Sequence, residues 1–282
     1  MSTPEDIVQG IDHLIVTVPD LDRAERLWQR LGFAPTARGF HRTGGTANHL
    51  IMLDRTYVEL LGQADRSTTS AYQDMIEHPG LWGVALRASA QATYRLWSDA
   101  GLPVTPPADL ERGVEIGGHN ELARFRLTML ERSAEVSFLT FCCEHLTPQF
   151  VWHAQLAPHP NGARVLRELV VLVEDGTTRQ HVARLAGRPI PESASIEGTF
   201  VLGEARITLL SEASFERRFG VSGRRAGRRL PMLAAFVLAS DDLKRAREFA
   251  ERSGYHVRGT ASGGFAAHLP DEGVVIEWSP TL

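Results

Sequence analysis

The clearest pattern of apolar and polar positions lies near the start of the chain and predicts a strand followed by a helix. From His13 to Val18 the side chains alternate between two sets, as they do on the two faces of a β-strand. Pro19 and Asp20 end this strand and open a helix, along which apolar residues recur every three or four positions until Gly32. A glycine at this place is a common end of a helix. Three short strands are predicted to follow and to complete a βαβββ unit: 33–41, 47–53 and 56–61.

The same unit recurs in weaker form three more times along the chain. Aligning Gly101, Gly187 and Gly254 with Gly32 brings strand-like and helix-like stretches into the same order each time. The first unit is the clearest and the third the most degraded. We therefore predict an α+β fold in which four βαβββ modules form two open, curled mixed sheets.

Proline and glycine are dense between the second and third modules, which predicts how the chain divides into domains. The stretch 148–163 is the predicted crossover, because these residues interrupt regular structure. An N-terminal domain over 1–147 and a C-terminal domain over 164–282 would then hold two modules each. Two further stretches, 103–118 and 216–229, are predicted to be loops, although an anion contact is the alternative for the arginines of the second.

Candidate chemistry lies on the first and last strands of the first module. His13 shares a strand face with Ile15, and the opposite face is apolar throughout. Glu59 shares a face with Tyr57. A buried carboxylate is costly unless it is paired, protonated or bound to a metal, and imidazole with carboxylate is a normal ligand set for Zn, Fe, Mn or Ni. The alternative is that His13 and Glu59 bond each other or a ligand without a metal.

The repeat suggests where a third ligand would come from. Only the fourth module has a carboxylate, Glu277, at the position of Glu59. If modules one and four shared a barrel, His13, Glu59 and Glu277 would form a three-ligand metal site. If modules one and two pair, only two protein ligands meet, and water or substrate completes the shell. The position of His13 is taken in the later modules by Trp82, Glu168 and Ala235.

Polar side chains that could bind a substrate surround the turn at Gly44 and Gly45 or lie in the crossover. The predicted substrate-binding residues are Arg38, His41, Arg42, Asn48, His49, Tyr57, Trp152, His159 and Asn161. The alternative is that the first group forms an ordinary polar hairpin and that the histidine of the crossover is merely exposed to solvent.

Composition and charge exclude several classes of function. The net charge of −4 gives no bias towards nucleic acid, and no stretch approaches the roughly 18 apolar residues of a membrane span. The two cysteines, Cys142 and Cys143, are adjacent, and this usage fits a reducing compartment. Without a secretion signal, we expect a cytoplasmic protein that binds a small molecule, and a homodimer is left open. Dinucleotide, P-loop, nucleophile-elbow and zincin motifs are absent from the sequence.

The stretches GIDHLIVTVPDLDRAERLWQRLGF and GGTANHLIMLDRTYVELLG resemble the vicinal oxygen chelate superfamily, which includes glyoxalase I, bleomycin-resistance proteins and extradiol dioxygenases. GTANHL, YVELLG and PQFVWH followed by HPNGAR are similar to glyoxalase-3-type, or glyoxalase-like, domains. In that superfamily the metal ligands come from the first and last strands of paired modules, which correspond here to His13 and Glu59. The residues Trp82 and Ser137 depart from the pattern in the second module.

The resemblance implies a function of one of two kinds. The first is a metal-dependent lyase, isomerase or ring-cleaving dioxygenase for a small organic substrate with vicinal oxygens, in which Glu59 is a ligand or the catalytic base. The second is a non-catalytic protein that sequesters a small molecule, as bleomycin-resistance proteins do.

Overall fold

Repeated strand and helix units build two β-sheets in the computed structural model of the chain, which describes residues 7–42, 44–65, 70, 72–116, 118–132, 137–152, 158–190 and 195–281. The first half contains β1 (Gly10–Thr17), α1 (Leu21–Arg30), β2 (Gly39–His41), β3 (Thr46–Met52), β4 (Tyr57–Gln63), α2 (Gln73–Glu77), β5 (Gly80–Arg87), α3 (Ala90–Asp99), β6 (Ala108–Ile116), β7 (His119–Met129) and β8 (Leu139–His145). The second half contains β9 (Ala163–Leu172), α4 (Thr177–Leu185), β10 (Gly198–Leu202), β11 (Ala205–Leu210), α5 (Glu212–Phe219), β12 (Met232–Ser240), α6 (Leu243–Arg252), β13 (Val257–Gly259), β14 (Phe265–Leu269) and β15 (Val274–Pro280). The predicted α+β class is confirmed.

The predicted crossover lies between these halves, since β8 ends at His145 and β9 begins at Ala163. A short 3-10 turn, Pro148–Phe150, follows β8. Residues 153–157 of the crossover lie outside the described residues.

The first long helix of each module ends in the same way, which explains why the glycines align in the sequence. The residue after the glycine donates its N–H to a carbonyl of the last helical turn, as Phe33 does to Trp28. At the other end, Asp20 and Asp242 each accept a hydrogen bond from a backbone N–H of the first turn at 2.9 Å. The glycines that follow these four helices all have positive φ angles, from 64° to 83°, a conformation that glycine adopts without strain: Gly32, Gly101, Gly187 and Gly254.

The first two modules form one closed barrel with the strand order β1-β4-β3-β2-β6-β7-β8-β5. Closure occurs where β2 meets β6, through the pairs Phe40 with Gly113 and His41 with Arg112. The open first sheet that we predicted is thus closed. The prediction of a loop over 103–118 was wrong for β6. Leu110 and Val114 of this strand pack against the apolar cluster inside the barrel, but the buried Arg112 between them interrupts the apolar alternation.

The second sheet stays open, with the strand order β10-β11-β9-β12-β15-β14-β13. Module three has two strands after its helix in the described residues, and α5 follows them. The barrel is closed by β2, the first strand after the helix of module one. The described part of module three contains no strand that corresponds to β2, and the second sheet stays open. The predicted loop over 216–229 was wrong as far as Phe219, where α5 ends.

Helix α5 fills the concave face of the second sheet. Phe215 and Phe219 pack there in one apolar cluster with residues of β9, β12, β14 and β15. Between them, Arg218 binds Glu168 at 2.7 Å and Glu277 at 2.8 Å, and both carboxylates are 1 % exposed. Burial by itself raises the pKa of Glu168, but the hydrogen bond and charge of Arg218 outweigh this and lower it.

The main hydrophobic core lies between the barrel and the second sheet. Leu14 and Val16 of β1 belong to it, together with Trp28, Trp97 and Trp278, each 0 % exposed. The Trp97 indole donates a hydrogen bond to the carbonyl of a residue on α4 at 3.1 Å and so joins the two halves. No helix of the described chain is long and apolar enough to cross a membrane.

Glu272, in the turn between β14 and β15, is a buried acid that makes folding pH-dependent. Its side chain is 3 % exposed, and Oε2 has no hydrogen-bond partner in the structure. Burial raises the pKa of this carboxyl group from 4.5 to about 7. The folded protein therefore holds the proton more tightly than the unfolded chain, and stability falls as pH rises through this window.

We expect Glu272→Gln to be more stable than the wild type at about pH 8.5, by roughly 2 kcal/mol, and nearly equal to it close to pH 4.5. Urea denaturation at several pH values measures this difference. Glu251→Gln on the exposed face of α6 is the matched control and should show no such trend. Parallel stability curves for wild type and Glu272→Gln would contradict the prediction.

Candidate functional site

The barrel encloses a cavity of about 310 Å³ with apolar walls and one polar side. The apolar lining includes Ile15, Leu50, Leu110, Phe125, Met129, Leu139 and Phe141. The polar lining includes His13, His41, Asn48, Tyr57, Glu59 and Arg112. On β1 and β4, residues that face the cavity alternate with residues of the main core, such as Leu14 and Val58, as strand alternation predicts.

His13 is held by a buried carboxylate that the sequence pattern does not reveal. Asp12 Oδ1 lies 2.7 Å from His13 Nδ1 and 3.1 Å from His145 Nε2, and Asp12 is 1 % exposed. The pairing of β1 with β5 shifts by one residue at Asp12, so this residue forms a β-bulge and its side chain turns towards His13.

The charge of Asp12 decides which nitrogen of His13 carries the proton. Burial by itself raises the pKa of Asp12, but its hydrogen bonds to His13 and His145 outweigh burial and hold the pKa well below its ordinary value. An ionised carboxylate only accepts hydrogen bonds, so Nδ1 of His13 is the donor, and in the neutral imidazole Nε2 would be the nitrogen with the lone pair. The ring is fixed further by stacking on Tyr57, with the two centroids 4.4 Å apart.

Glu59 faces His13 and is oriented by a chain of hydrogen bonds. Arg112 donates to Asn48 Oδ1 at 3.3 Å, which leaves the Asn48 amide nitrogen to donate to Glu59 Oε1 at 2.5 Å. The second oxygen, Oε2, lies 3.8 Å from His13 Nε2. His41 Nε2 is 3.6 Å from Glu59 Oε1. Three nitrogen-bearing side chains thus surround one carboxylate at the polar side of the cavity.

Burial keeps other titratable groups of this cavity neutral. It lowers the pKa of His41, and the charge of Arg112 lowers it further against the opposing effect of Glu59. Burial also raises the pKa of Tyr57 and of Cys143 well above their ordinary values, with Asp12 adding to both shifts.

The His13 and Glu59 donors could hold a divalent metal ion. A neutral imidazole nitrogen and a carboxylate oxygen are common ligands for Zn, Fe, Mn and Ni. The bond from His13 Nδ1 to Asp12 is the arrangement that usually supports a metal-binding histidine from behind. The pair supplies two protein ligands, one nitrogen and one oxygen, and His41 Nε2 lies 3.6 Å from Glu59 Oε1 as a second nitrogen.

Glu277, the third predicted ligand, lies in the other sheet. Modules one and two share the barrel, so Glu277 is bonded to Arg218 at 2.8 Å and to Ser262 at 2.7 Å instead of facing His13. The structure does not bring the set of His13, Glu59 and Glu277 together. Modules one and two pair instead, so of these three residues only His13 and Glu59 line the barrel cavity.

Of the residues predicted to bind substrate, His41, Asn48 and Tyr57 line the barrel cavity. The two arginines lie elsewhere, because each pairs with an acid near the surface: Arg38 with Asp22, and Arg42 with Glu111.

Four other predicted substrate-binding residues do not line the barrel cavity. His49 is bonded to the backbone carbonyl of Thr36 at 2.8 Å. Trp152 stacks on His145, with the centroids 5.6 Å apart, and borders a neighbouring cavity. The remaining two, His159 and Asn161, lie between α1 and β9.

His159 and Asn161 satisfy buried backbone groups. His159 accepts from the Ala34 N–H at 3.1 Å and donates to a carbonyl of β3 at 2.7 Å, and burial lowers its pKa to about 4. Asn161 is 0 % exposed, donates to Leu31 O at 2.9 Å and accepts from Ala163 N–H at 3.0 Å. These bonds join the first helix to the second half of the chain.

The chain belongs to the glyoxalase-like domain family, because the family model described as "Glyoxalase-like domain" matches residues 11–186. This confirms the resemblance inferred from the sequence. A search of curated proteins finds no match.

Solved structures share the fold over almost the whole chain. A hypothetical protein from Staphylococcus aureus aligns with a TM-score of 0.66 at 12% identity, covering 96% of this chain and 99% of that one. A mutant of 4-hydroxymandelate synthase from Streptomyces coelicolor aligns with a TM-score of 0.56 at 13% identity, covering 96% and 92%. A xylose isomerase-like TIM barrel/4-hydroxyphenylpyruvate dioxygenase fusion protein gives 0.53 at 15% identity, covering 96% and 49%. At these identities the likeness shows the fold alone.

If Asn161 serves the fold and not the site, Asn161→Ala should lower the free energy of unfolding by about 2 kcal/mol or more, because two buried backbone groups lose their partners. Urea denaturation measures the loss, with Asn120→Ala on the exposed start of β7 as the control. Ligand and metal uptake by the folded variant should equal those of the wild type. A variant of normal stability that fails to bind would reverse this assignment.

Proposed function

We propose that this protein is an enzyme whose active site is the barrel cavity, and that it acts on a small, largely apolar organic molecule with two adjacent oxygens. The observation that carries the proposal is the pair His13 Nε2 and Glu59 Oε2, 3.8 Å apart, at the polar side of an otherwise apolar cavity. An apolar cavity with a few converging polar groups is the usual form of a small-molecule site.

His13 and Glu59 would hold a divalent metal ion, which supplies a Lewis acid that polarises the oxygens of the substrate. The chain's own residues do the rest. Asp12 keeps His13 in the tautomer whose Nε2 faces the cavity. The Arg112 and Asn48 chain holds Oε1 of Glu59. The other oxygen, Oε2, would serve either as the metal ligand or as the base that takes a proton from a carbon of the substrate.

The apolar walls decide which part of the substrate lies away from this polar side. Phe125 comes from β7, opposite β4 in the barrel order, whereas Phe141 comes from β8 and its ring lies edge-on to His13, with the centroids 5.4 Å apart. They would pack on a hydrocarbon or aromatic body and exclude water from the reacting carbon. The substrate therefore has an oxygen-bearing end and an apolar end.

The alternative function is a non-catalytic protein that sequesters a small aromatic or hydrophobic compound in the same cavity. The apolar share of the lining favours it, because such walls bind without any metal. Metal content and the response to oxygen-bearing ligands separate the two functions.

The metal content of the purified protein tests the His13–Glu59 pair. We expect His13→Ala and Glu59→Gln each to carry about one equivalent of divalent metal less than the wild type, measured by elemental analysis. The matched control is His119→Gln, since His119 is exposed at the start of β7 and should lose none. Equal metal content in all four proteins would remove the metal from the proposal and favour the sequestering function.

A second prediction concerns the substrate class. In metal-loaded protein, catechols and 2-hydroxy ketones should raise the melting temperature more than phenol or simple ketones of the same size, because only they offer two adjacent oxygens. This preference should vanish in Glu59→Gln, while the general response to apolar ligands remains. Equal shifts for both groups of compounds in the wild type would argue for sequestration.

A further inference from the structure

A second group of metal-ligand side chains lies beside the barrel cavity and takes no part in the proposed reaction. Asp12, Cys143 and His145 each offer one donor atom, and these three atoms all lie within 4.8 Å of one another. Asp12 is 1 % and Cys143 3 % exposed, and the His145 side chain is 8 % exposed. We call these residues the Asp12–Cys143–His145 cluster.

The strands bring this cluster together from distant parts of the sequence. Asp12 comes from the bulge in β1, whereas Cys143 and His145 lie on the same face of β8, two residues apart. Their intervening neighbour, Glu144, points away and accepts a hydrogen bond from the first residue of α3 at 2.8 Å. The adjacent Cys142 also points away, into the main core, where its thiol donates to Ala88 O.

Two donor atoms of the cluster are buried and have no hydrogen-bond partner in the structure: Asp12 Oδ2 and His145 Nδ1. Unsatisfied polar atoms of this kind are costly and usually indicate a missing water, ion or ligand. Asp12 Oδ1 already accepts from His13 and His145, whereas Oδ2 accepts no hydrogen bond and has the Arg87 Nε at 3.8 Å, beyond hydrogen-bond distance.

A neighbouring cavity of about 350 Å³ gives access to the cluster. Besides the three cluster residues, its lining includes Arg87, Glu144, Pro148 and Trp152. Cys143 also borders the barrel cavity, so it lies in the wall between the two spaces. An ion bound here would have room for a water molecule or a small anion on the side of this second cavity.

We propose that the Asp12–Cys143–His145 cluster binds a zinc ion, at a site separate from the His13–Glu59 pair. Thiolate, imidazole and carboxylate together suit zinc, whereas magnesium and calcium take oxygen ligands. Three protein ligands with one open position are the arrangement of zinc sites that bind water or substrate. Asp12 would then contact both sites, through Oδ1 to His13 and through Oδ2 to the zinc ion.

Cobalt substitution tests this proposal in the full-length protein, because a thiolate bound to Co²⁺ absorbs in the near ultraviolet and a site without sulfur does not. We expect titration of the chelator-treated, reduced protein with Co²⁺ to produce this band, saturating at about one equivalent per chain. Zn²⁺ should then abolish it by displacing Co²⁺, as expected from the affinity order of N, O and S sites.

The two adjacent cysteines provide a matched pair of variants. Cys143→Ser should lose the band, and Cys142→Ser should keep it. His145→Gln should weaken Co²⁺ binding at least tenfold while preserving the position of the band. Glu59→Gln should leave the band unchanged even where it removes metal from the barrel cavity, so failure of the proposed function and failure of this site give different results.

Three outcomes would overturn the proposal: no band in the folded wild-type protein, a band that survives in Cys143→Ser, or a band that is lost in Cys142→Ser alone. Circular dichroism of each variant establishes that it is folded before titration. The wild-type titration and the competition by Zn²⁺ need no variant, so they decide the question even if Cys143→Ser does not fold.

Discussion

The parallel pairing of β1 with β4 is the contact on which the rest of the first half depends. Parallel neighbours cannot be joined by a tight turn, so the chain must cross over between them, and α1, β2 and β3 form that connection. The register pairs Ile15 with Glu59 and so places a carboxylate beside the strand that carries His13. The antiparallel pairing of β1 with β5 then attaches the second module and allows the barrel to close around this pair.

Much of this arrangement could be predicted from the sequence, because it follows from local periodicity. Alternation assigns His13 and Glu59 to the inward faces of their strands, and the glycine after each first helix reveals the four modules. Asp12 could not be predicted, since a β-bulge changes the direction of a side chain without leaving a pattern in the residues. Arg112 was missed for a different reason: the prolines and glycines that flank β6 predict a loop, and an arginine between Leu110 and Val114 interrupts the apolar alternation of the inward face.

The crossover illustrates a different limit. His159 and Asn161 are polar residues in a stretch rich in proline and glycine, which suits a binding loop and a structural junction equally well. What distinguishes the two is the supply of unpaired backbone groups nearby, and here the end of α1 and the start of β9 present them. Such groups become visible only when elements distant in sequence are placed side by side, so composition alone does not separate a ligand contact from a structural bond.

The two halves are built from the same module, but their buried carboxylates differ in whether their partners come from the chain or from the solution. In the second half, the buried carboxylate of Glu168 is paired with Arg218 and Arg206, and that of Glu277 with Arg218, so both face positive charges that are part of the chain. Such charges cannot be diluted, exchanged or removed by a chelator, so these two carboxylates keep their partners when the composition of the medium changes. In the barrel, Glu59 faces an open cavity and meets whatever the medium supplies. The buried carboxylates of the second half are thus paired within the chain, whereas the carboxylate in the barrel can exchange its partners with the solution.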